Sequence, residues 1–145
     1  MDFEIETFAG AGPIRFGMTA QEVRRLLPGP VDSFKRTPEV LVPSDHFTDI
    51  GVIVNYKEPG IVDSIEFATP SNPVFRGVAL FSQTVDQARL FLQSQDPTLE
   101  VDSAGFTSHV LGVAVYALMP DPEEGEPGEM VSVGAFERGY YSRSA

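Results

Sequence analysis

The feature that most constrains this chain is a local pattern stated twice. Phe16-Gly-Met-Thr19 leads into Glu22-Val23 and Leu26-Leu27, and Phe81-Ser-Gln-Thr84 leads into Gln87-Ala88 and Phe91-Leu92. The phenylalanine, the threonine and the apolar face stand at matching offsets. Downstream, Gly51-Val-Ile-Val-Asn-Tyr56 finds an echo in Gly112-Val-Ala-Val-Tyr116, and Asp63-Ser-Ile-Glu-Phe67 in Ser132-Val-Gly-Ala-Phe136. A helix followed by strands, in a unit too short to close a core alone, predicts two halves packed into one body. At 145 residues, with 42% hydrophobic residues and 11 Phe, the chain is sized for a single domain with one core. The reading is one domain over residues 1–145, with internal repeats at 1–70 and 73–145.

Helix starts are the clearest local signals. Thr19 is placed to cap the first helix with Glu22 three residues on, and Met18 and Val23 occupy the positions of a hydrophobic staple. Val23, Leu26 and Leu27 are expected on the buried face, with Gln21, Arg24 and Arg25 toward water. Pro28-Gly-Pro30 stops this helix after about two turns. Thr84 and Gln87 repeat the cap for a second helix, which buries Ala88, Phe91 and Leu92 and ends at Asp96-Pro97.

Strands are expected at 3–6, 14–16, 31–36, 51–56, 62–67, 74–81, 99–101, 112–118 and 130–136. Lys57-Glu-Pro-Gly60 reads as a hairpin turn. Residues 37–49 are read as an irregular connection because Pro38, Pro43 and Asp45 interrupt them, 68–73 as a linker between the halves, and Gly10-Ala-Gly12 as a flexible turn. Residues 120–128 make a polar, Pro/Gly-rich loop, and Arg138-Gly-Tyr-Tyr-Ser-Arg143 gathers exposed aromatics and arginines at the end.

The formal charge of −11 repels phosphate backbones and argues against nucleic acid, while fitting a basic partner. With no cysteine there is no disulfide and no thiolate metal site. No run is long enough to span a bilayer, and the acidic start does not resemble a secretory signal, so a soluble, cytoplasmic protein with no membrane association is expected.

No residue set reaches a catalytic signature. Ser44-Asp-His-Phe47 and Ser108-His-Val110 supply the letters of a triad, but no serine stands in a nucleophile-elbow glycine pattern. His46 and His109 are therefore read as solvated loop residues. They lack metal-ligand spacing even with Asp45 or Asp49 added. Phe67 and Phe136 are expected in the core, and Tyr56 and Tyr116 at strand ends with hydroxyls toward water. Two interaction candidates remain. One is the acidic loop, with Asp121, Glu123, Glu124 and Glu126 (and Glu129 beside them), which suits a basic protein. The other is the Tyr140-Tyr141 tail between Arg138 and Arg143, whose residue types are enriched at interface hot spots.

The stretch Gly12-Pro-Ile-Arg-Phe-Gly-Met-Thr-Ala-Gln-Glu-Val-Arg-Arg-Leu-Leu27, centred on Gly17-Met18-Thr19 with Glu22-Val23 and Leu26-Leu27, resembles the first helix of a group of small α+β modules. The group includes the outer-membrane assembly lipoproteins of the SmpA/OmlA (BamE) type and the β-lactamase inhibitor proteins. The latter join two helix-plus-sheet modules in tandem. The chain is also similar to bacterial immunity-like proteins. The resemblance implies an α+β fold of two tandem helix-plus-antiparallel-sheet repeats packed as one compact domain. It also implies a non-catalytic protein-binding module, with an immunity-type inhibitor as one form, and no cofactor. The alternative is a small-molecule-binding or hydrolytic domain using a groove between the halves, with His46 and His109 facing it.

Overall fold

The computed structural model describes residues 1–144. In chain order the strands are β1 (Asp2–Glu6), β2 (Gly10–Ala11), β3 (Ile14–Arg15), β4 (Val31–Phe34), β5 (Ser44–Phe47), β6 (Val52–Lys57), β7 (Ile61–Phe67), β8 (Asn72–Phe75), β9 (Val78–Ala79), β10 (Glu100–Asp102), β11 (Gly105–Ser108), β12 (Val113–Leu118) and β13 (Glu129–Phe136). Helix α1 (Ala20–Leu26) lies between β3 and β4, and α2 (Val85–Gln95) between β9 and β10. The fold is mixed α+β and mostly sheet.

Both helices start at a reciprocal cap. The amide of Glu22 donates to Thr19 Oγ1 at 3.3 Å while the Thr19 amide donates to Glu22 Oε1 at 3.2 Å. Gln87 and Thr84 do the same at 3.1 and 2.9 Å. Each box satisfies two amides that a helix start leaves unpaired. Helix α1 buries Val23, with Leu27 buried at its end, whereas Leu26, expected beside them, is 43% exposed. In a helix of seven residues the buried stripe is as narrow as the 23/27 pair, and position 26 turns off it. Helix α2 buries Val85, Ala88 and Leu92, with Phe91 half-buried at its flank.

Eight strands form the main sheet in the order β10-β11-β12-β13-β7-β6-β5-β4, every neighbour antiparallel. The seam between β7 and β13 sets Phe67 opposite Val133, Glu66 opposite Gly134, Ile65 opposite Ala135 and Ser64 opposite Phe136. A small sheet, β3-β2-β1-β8-β9, holds β1 and β8 parallel. Phe47, Val52, Val54, Ile65, Phe67, Val113, Val115 and Val133 point to one face of the large sheet and are almost fully buried. They share one core with the helices and the small sheet, where the Phe3 and Phe67 rings lie 5.1 Å apart.

Several expectations are corrected here. Gly10-Ala11 is a strand, not a flexible turn. The proposed linker 68–73 carries the start of β8 and a buried Ser71, because β1 takes that segment as its parallel partner. Residues 74–81 are not one strand but a tight hairpin. The chain folds at Arg76-Gly77, both with positive φ (49° and 82°), the conformation a two-residue hairpin requires. The strand β5 runs through what was read as a connection, and His46 lies on it. Strand β11 was also not anticipated; a Cβ on its Gly105 would come within 1.9 Å of the Val115 carbonyl oxygen, so the chain passes there only as glycine.

What hid β5 is its buried charge. Asp45 is fully buried on the core face and accepts from Arg24 Nε (2.9 Å), Arg24 Nη2 (2.6 Å) and the Tyr56 hydroxyl (2.8 Å). Arg24 thus ties α1 to the sheet instead of only facing water, and the Tyr56 hydroxyl turns inward. The hydrogen bond to Asp45 raises the Arg24 pKa against the opposing pull of burial. Burial, then the hydrogen bond to Asp45, pushes the Tyr56 phenol up. At the other helix, buried Asp96 caps the α2 C-terminus and accepts from Ser108 Oγ of β11 at 2.6 Å, and from the Thr98 amide and hydroxyl at 2.9 and 2.6 Å. Among the described residues no helix is long and apolar enough to cross a membrane.

Candidate functional site

The second face of the large sheet is the one the core does not use. Strand alternation sends to it His46 from β5, Ile53 and Asn55 from β6, Ser64 and Glu66 from β7, Gly134 and Phe136 from β13, and Ala114, Tyr116 and Leu118 from β12. Large apolar side chains stand exposed on or beside it: Leu118 is 62%, Val131 52% and Tyr116 40% exposed. Val131 is the extra residue where the β12–β13 register shifts, and the bulge turns it outward to line a hollow with His46, Ile53 and Glu66.

One half of this face is a polar ladder. Ser44 Oγ donates to Asn55 Oδ1 at 2.6 Å, and Asn55 Nδ2 donates to Ser64 Oγ (3.0 Å) and Glu66 Oε2 (2.9 Å). Glu66 also holds an ion pair with Arg36, which reaches over from the segment after β4 and stacks on the Phe34 ring at 5.6 Å. The other half is aromatic. The Tyr141 ring meets Phe136 edge-on at 4.9 Å, Tyr140 at 5.2 Å and His109 at 5.0 Å, and its hydroxyl lies 3.4 Å from that of Tyr116. Burial, with the neighbouring tyrosines, pushes the Tyr141 phenol up.

Between the halves, at the β7–β13 seam, is a hollow of about 240 Å³ lined by Arg36, Asn55, Glu66, Tyr116, Tyr140 and Tyr141, with Ala114 and Gly134 in its floor. Gly134 has ordinary extended backbone, and a Cβ there would meet nothing closer than 3.9 Å. Neither conformation nor packing demands a glycine in mid-strand, where glycine weakens a sheet. Its effect is to leave room beside Glu66.

The expected site residues fall in two places. Tyr140 and Tyr141 cover the aromatic half of the face, in and before a short 3-10 turn, Tyr141–Ser144. The Arg143 side chain lies outside the described residues, and Arg138 stacks over Phe8 at 4.3 Å. The loop 119–128 joins β12 to β13 and closes on itself through local hydrogen bonds, its residues 121–127 exposed. Asp121 and Glu126 exchange backbone hydrogen bonds of 2.8 Å each, and Asp121 Oδ1 accepts from the amides of Glu123 and Glu124 at 3.1 and 3.3 Å. Asp121 therefore shapes the tip, and Glu123, Glu124 and Glu126 present charge to solvent.

The two histidines do not share a groove. His46 lines the 210 Å³ hollow beside Val131. His109 lines one of 450 Å³ with Phe8 and the tail tyrosines, and its Nε2 lies 3.0 Å from Glu100. Phe136 is buried as expected, but on the second face under Tyr140 and Tyr141, opposite in direction to Phe67. Tyr116 projects from mid-strand to the same side. Among the described residues no three His, Cys, Asp or Glu side chains are placed to hold a metal ion. Sequence reasoning missed Arg36, Asn55, Glu66, Gly134, Leu118 and Val131. The available signal was the alternation along β6, β7 and β12, which assigns the outward residues once the inward valines are recognised.

Comparisons with protein families, curated proteins and solved structures find no match to this chain.

Proposed function

We propose that this chain is a non-catalytic protein-binding module that docks a basic protein on the open face of its eight-stranded sheet, in the manner of an immunity-type inhibitor. The observation that carries this reading is the contrast between the two faces. One is consumed by the core, while the other sets exposed Tyr116, Leu118 and Val131 beside a cluster of tyrosines. Rigid aromatics within a polar rim are what interface hot spots are made of. The acidic tip of the β12–β13 loop continues this face, since Glu126 and Leu118 line one hollow. A net charge of −11 favours a cationic partner and steers its approach.

The tandem build belongs to the same reading. Each helix is followed by four successive antiparallel strands, β4 to β7 and β10 to β13, and the last strands of the two runs pair with each other. The Gly-Val-x-Val echo at 51–54 and 112–115 falls at the third strand of each run, with both valines inward. Two tandem helix-plus-sheet modules of the β-lactamase inhibitor type accommodate that order.

The test is affinity capture from the cells the chain comes from, followed by association kinetics on the partner obtained. Leu118→Asp with Val131→Asp should abolish capture while leaving the thermal melt in place. Neutralising Glu123, Glu124 and Glu126 to Gln should slow association and flatten its salt dependence, with fold stability hardly moved. A face variant that holds the same partner with unchanged affinity refutes the docking surface.

A further inference from the structure

We propose that the hollow at the β7–β13 seam is a seat for a guanidinium group, and that Arg36, in its wall, holds the Glu66 carboxylate in place of an arginine side chain of the partner protein. This rests on the reading of the open face as a docking surface and names the chemistry of its anchor.

The seat is built around Glu66. Asn55 Nδ2 holds one carboxylate oxygen at 2.9 Å and is itself fixed by Ser44 and Ser64, so the acid is oriented by the sheet and not by its ion partner. The cation comes from outside the sheet, on a segment after β4 that has no regular structure until β5. The Arg36 side chain is 49% exposed, and an exposed ion pair is displaced at little cost. Across the hollow stand Tyr116, Tyr140 and Tyr141, whose ring faces attract a cation and whose hydroxyl oxygens accept from it. A planar guanidinium satisfies a carboxylate and a ring together, which a compact ammonium does less well. Gly134, opposite Glu66 in the register, keeps the space free.

Size favours a side chain over a metabolite. With Arg36 in its wall the hollow is about 240 Å³, smaller than small-molecule sites, which run from about 300 to 1,000 Å³. The neighbouring 450 Å³ hollow is in that range, but its histidine, His109, already faces Glu100.

The experiment titrates N-acetyl-arginine methylamide, its citrulline and lysine counterparts, and free arginine into the wild-type chain and variants, reading amide and tyrosine ring shifts by NMR. Arg36→Ala should bind the arginine probe about two- to fivefold more tightly than wild type, the scale of one exposed ion pair released for use. Adding Glu66→Gln should remove that gain, and adding Gly134→Val should block the probe by volume while the melt stays intact. The citrulline probe should not bind, and the lysine probe should bind more weakly. No gain in Arg36→Ala, or equal binding of the citrulline probe, overturns the seat. Free arginine binding far more tightly than the blocked probe would make the site a metabolite pocket and overturns the partner's side chain as occupant. If a captured partner associates identically with wild type and Arg36→Ala, the seat fails and the docking face stands; if the probe binds but the face variant still captures the partner, the reverse holds.

Discussion

Replacing Arg24 by leucine tests how α1 is fastened to the sheet. Asp45 is fully buried, and the substitution removes two of its three side-chain hydrogen bonds, leaving the Tyr56 hydroxyl. Stripping one partner from a buried pair costs about 3–5 kcal/mol. Here the Arg24 side chain is 49% exposed, so water reaches the vacated position, and the expected loss is about 2–3 kcal/mol. Tyr56→Phe removes a single bond to a charged acceptor that Arg24 still pairs, and should fall near the lower end of about 1.5–3 kcal/mol. Adding Asp45→Leu to Arg24→Leu replaces the charge with apolar volume and should recover at least half of the first loss. Urea denaturation followed by circular dichroism, with unchanged m-values, measures all of these. The pH dependence has a fixed sign. The folded Tyr56 phenol titrates above its unfolded value, so its contribution is complete below about pH 10 and is lost as the pH rises beyond it. Wild type should therefore weaken more steeply than Tyr56→Phe in alkali. An Arg24→Leu variant within about 0.5 kcal/mol of wild type, or one that Asp45→Leu does not rescue, refutes the view that this network holds the helix.

Thr19→Ala and Thr84→Ala each break a reciprocal cap and should each cost about 0.5–2 kcal/mol in the same urea assay; an unchanged midpoint for either variant would mean its cap does not hold the helix start. Asp96 gives the acid limb. Burial alone would raise its pKa, but hydrogen bonds from Ser108 and Thr98, with the charge of His109, outweigh burial and hold the carboxyl below its usual range. Its stabilisation is present above about pH 4 and is lost as the pH falls through the depressed folded value, so Asp96→Asn should flatten the stability profile at acid pH.

What was legible in the sequence was local, and what was missed depended on partners far along the chain. The threonine caps span only four residues each and were read correctly, and β6 and β12 announced themselves through inward valines. Strand β5 was lost because its buried face carries Asp45, a residue that reads as a turn until Arg24 and Tyr56 are known to meet it. The direction of a side chain in a sheet is set by register, and the β7–β13 register joins residues widely separated in sequence. Hence Phe67 and Phe136, which end the echoed segments of the two halves, point to opposite sides, one into the core and one under Tyr140 and Tyr141. Tyr140 and Tyr141 stood out as interface residue types, but Glu66 looked like any acidic strand residue among 21 acids. Gly134 looked like a weakness in a strand. Only when the register sets that glycine opposite that carboxylate do the two make one feature, a charged wall and the space to reach it. Filling the space should therefore separate binding from folding, because a Cβ at position 134 comes no closer than 3.9 Å to the Ile65 carbonyl oxygen and the Tyr116 ring, which is ordinary van der Waals contact.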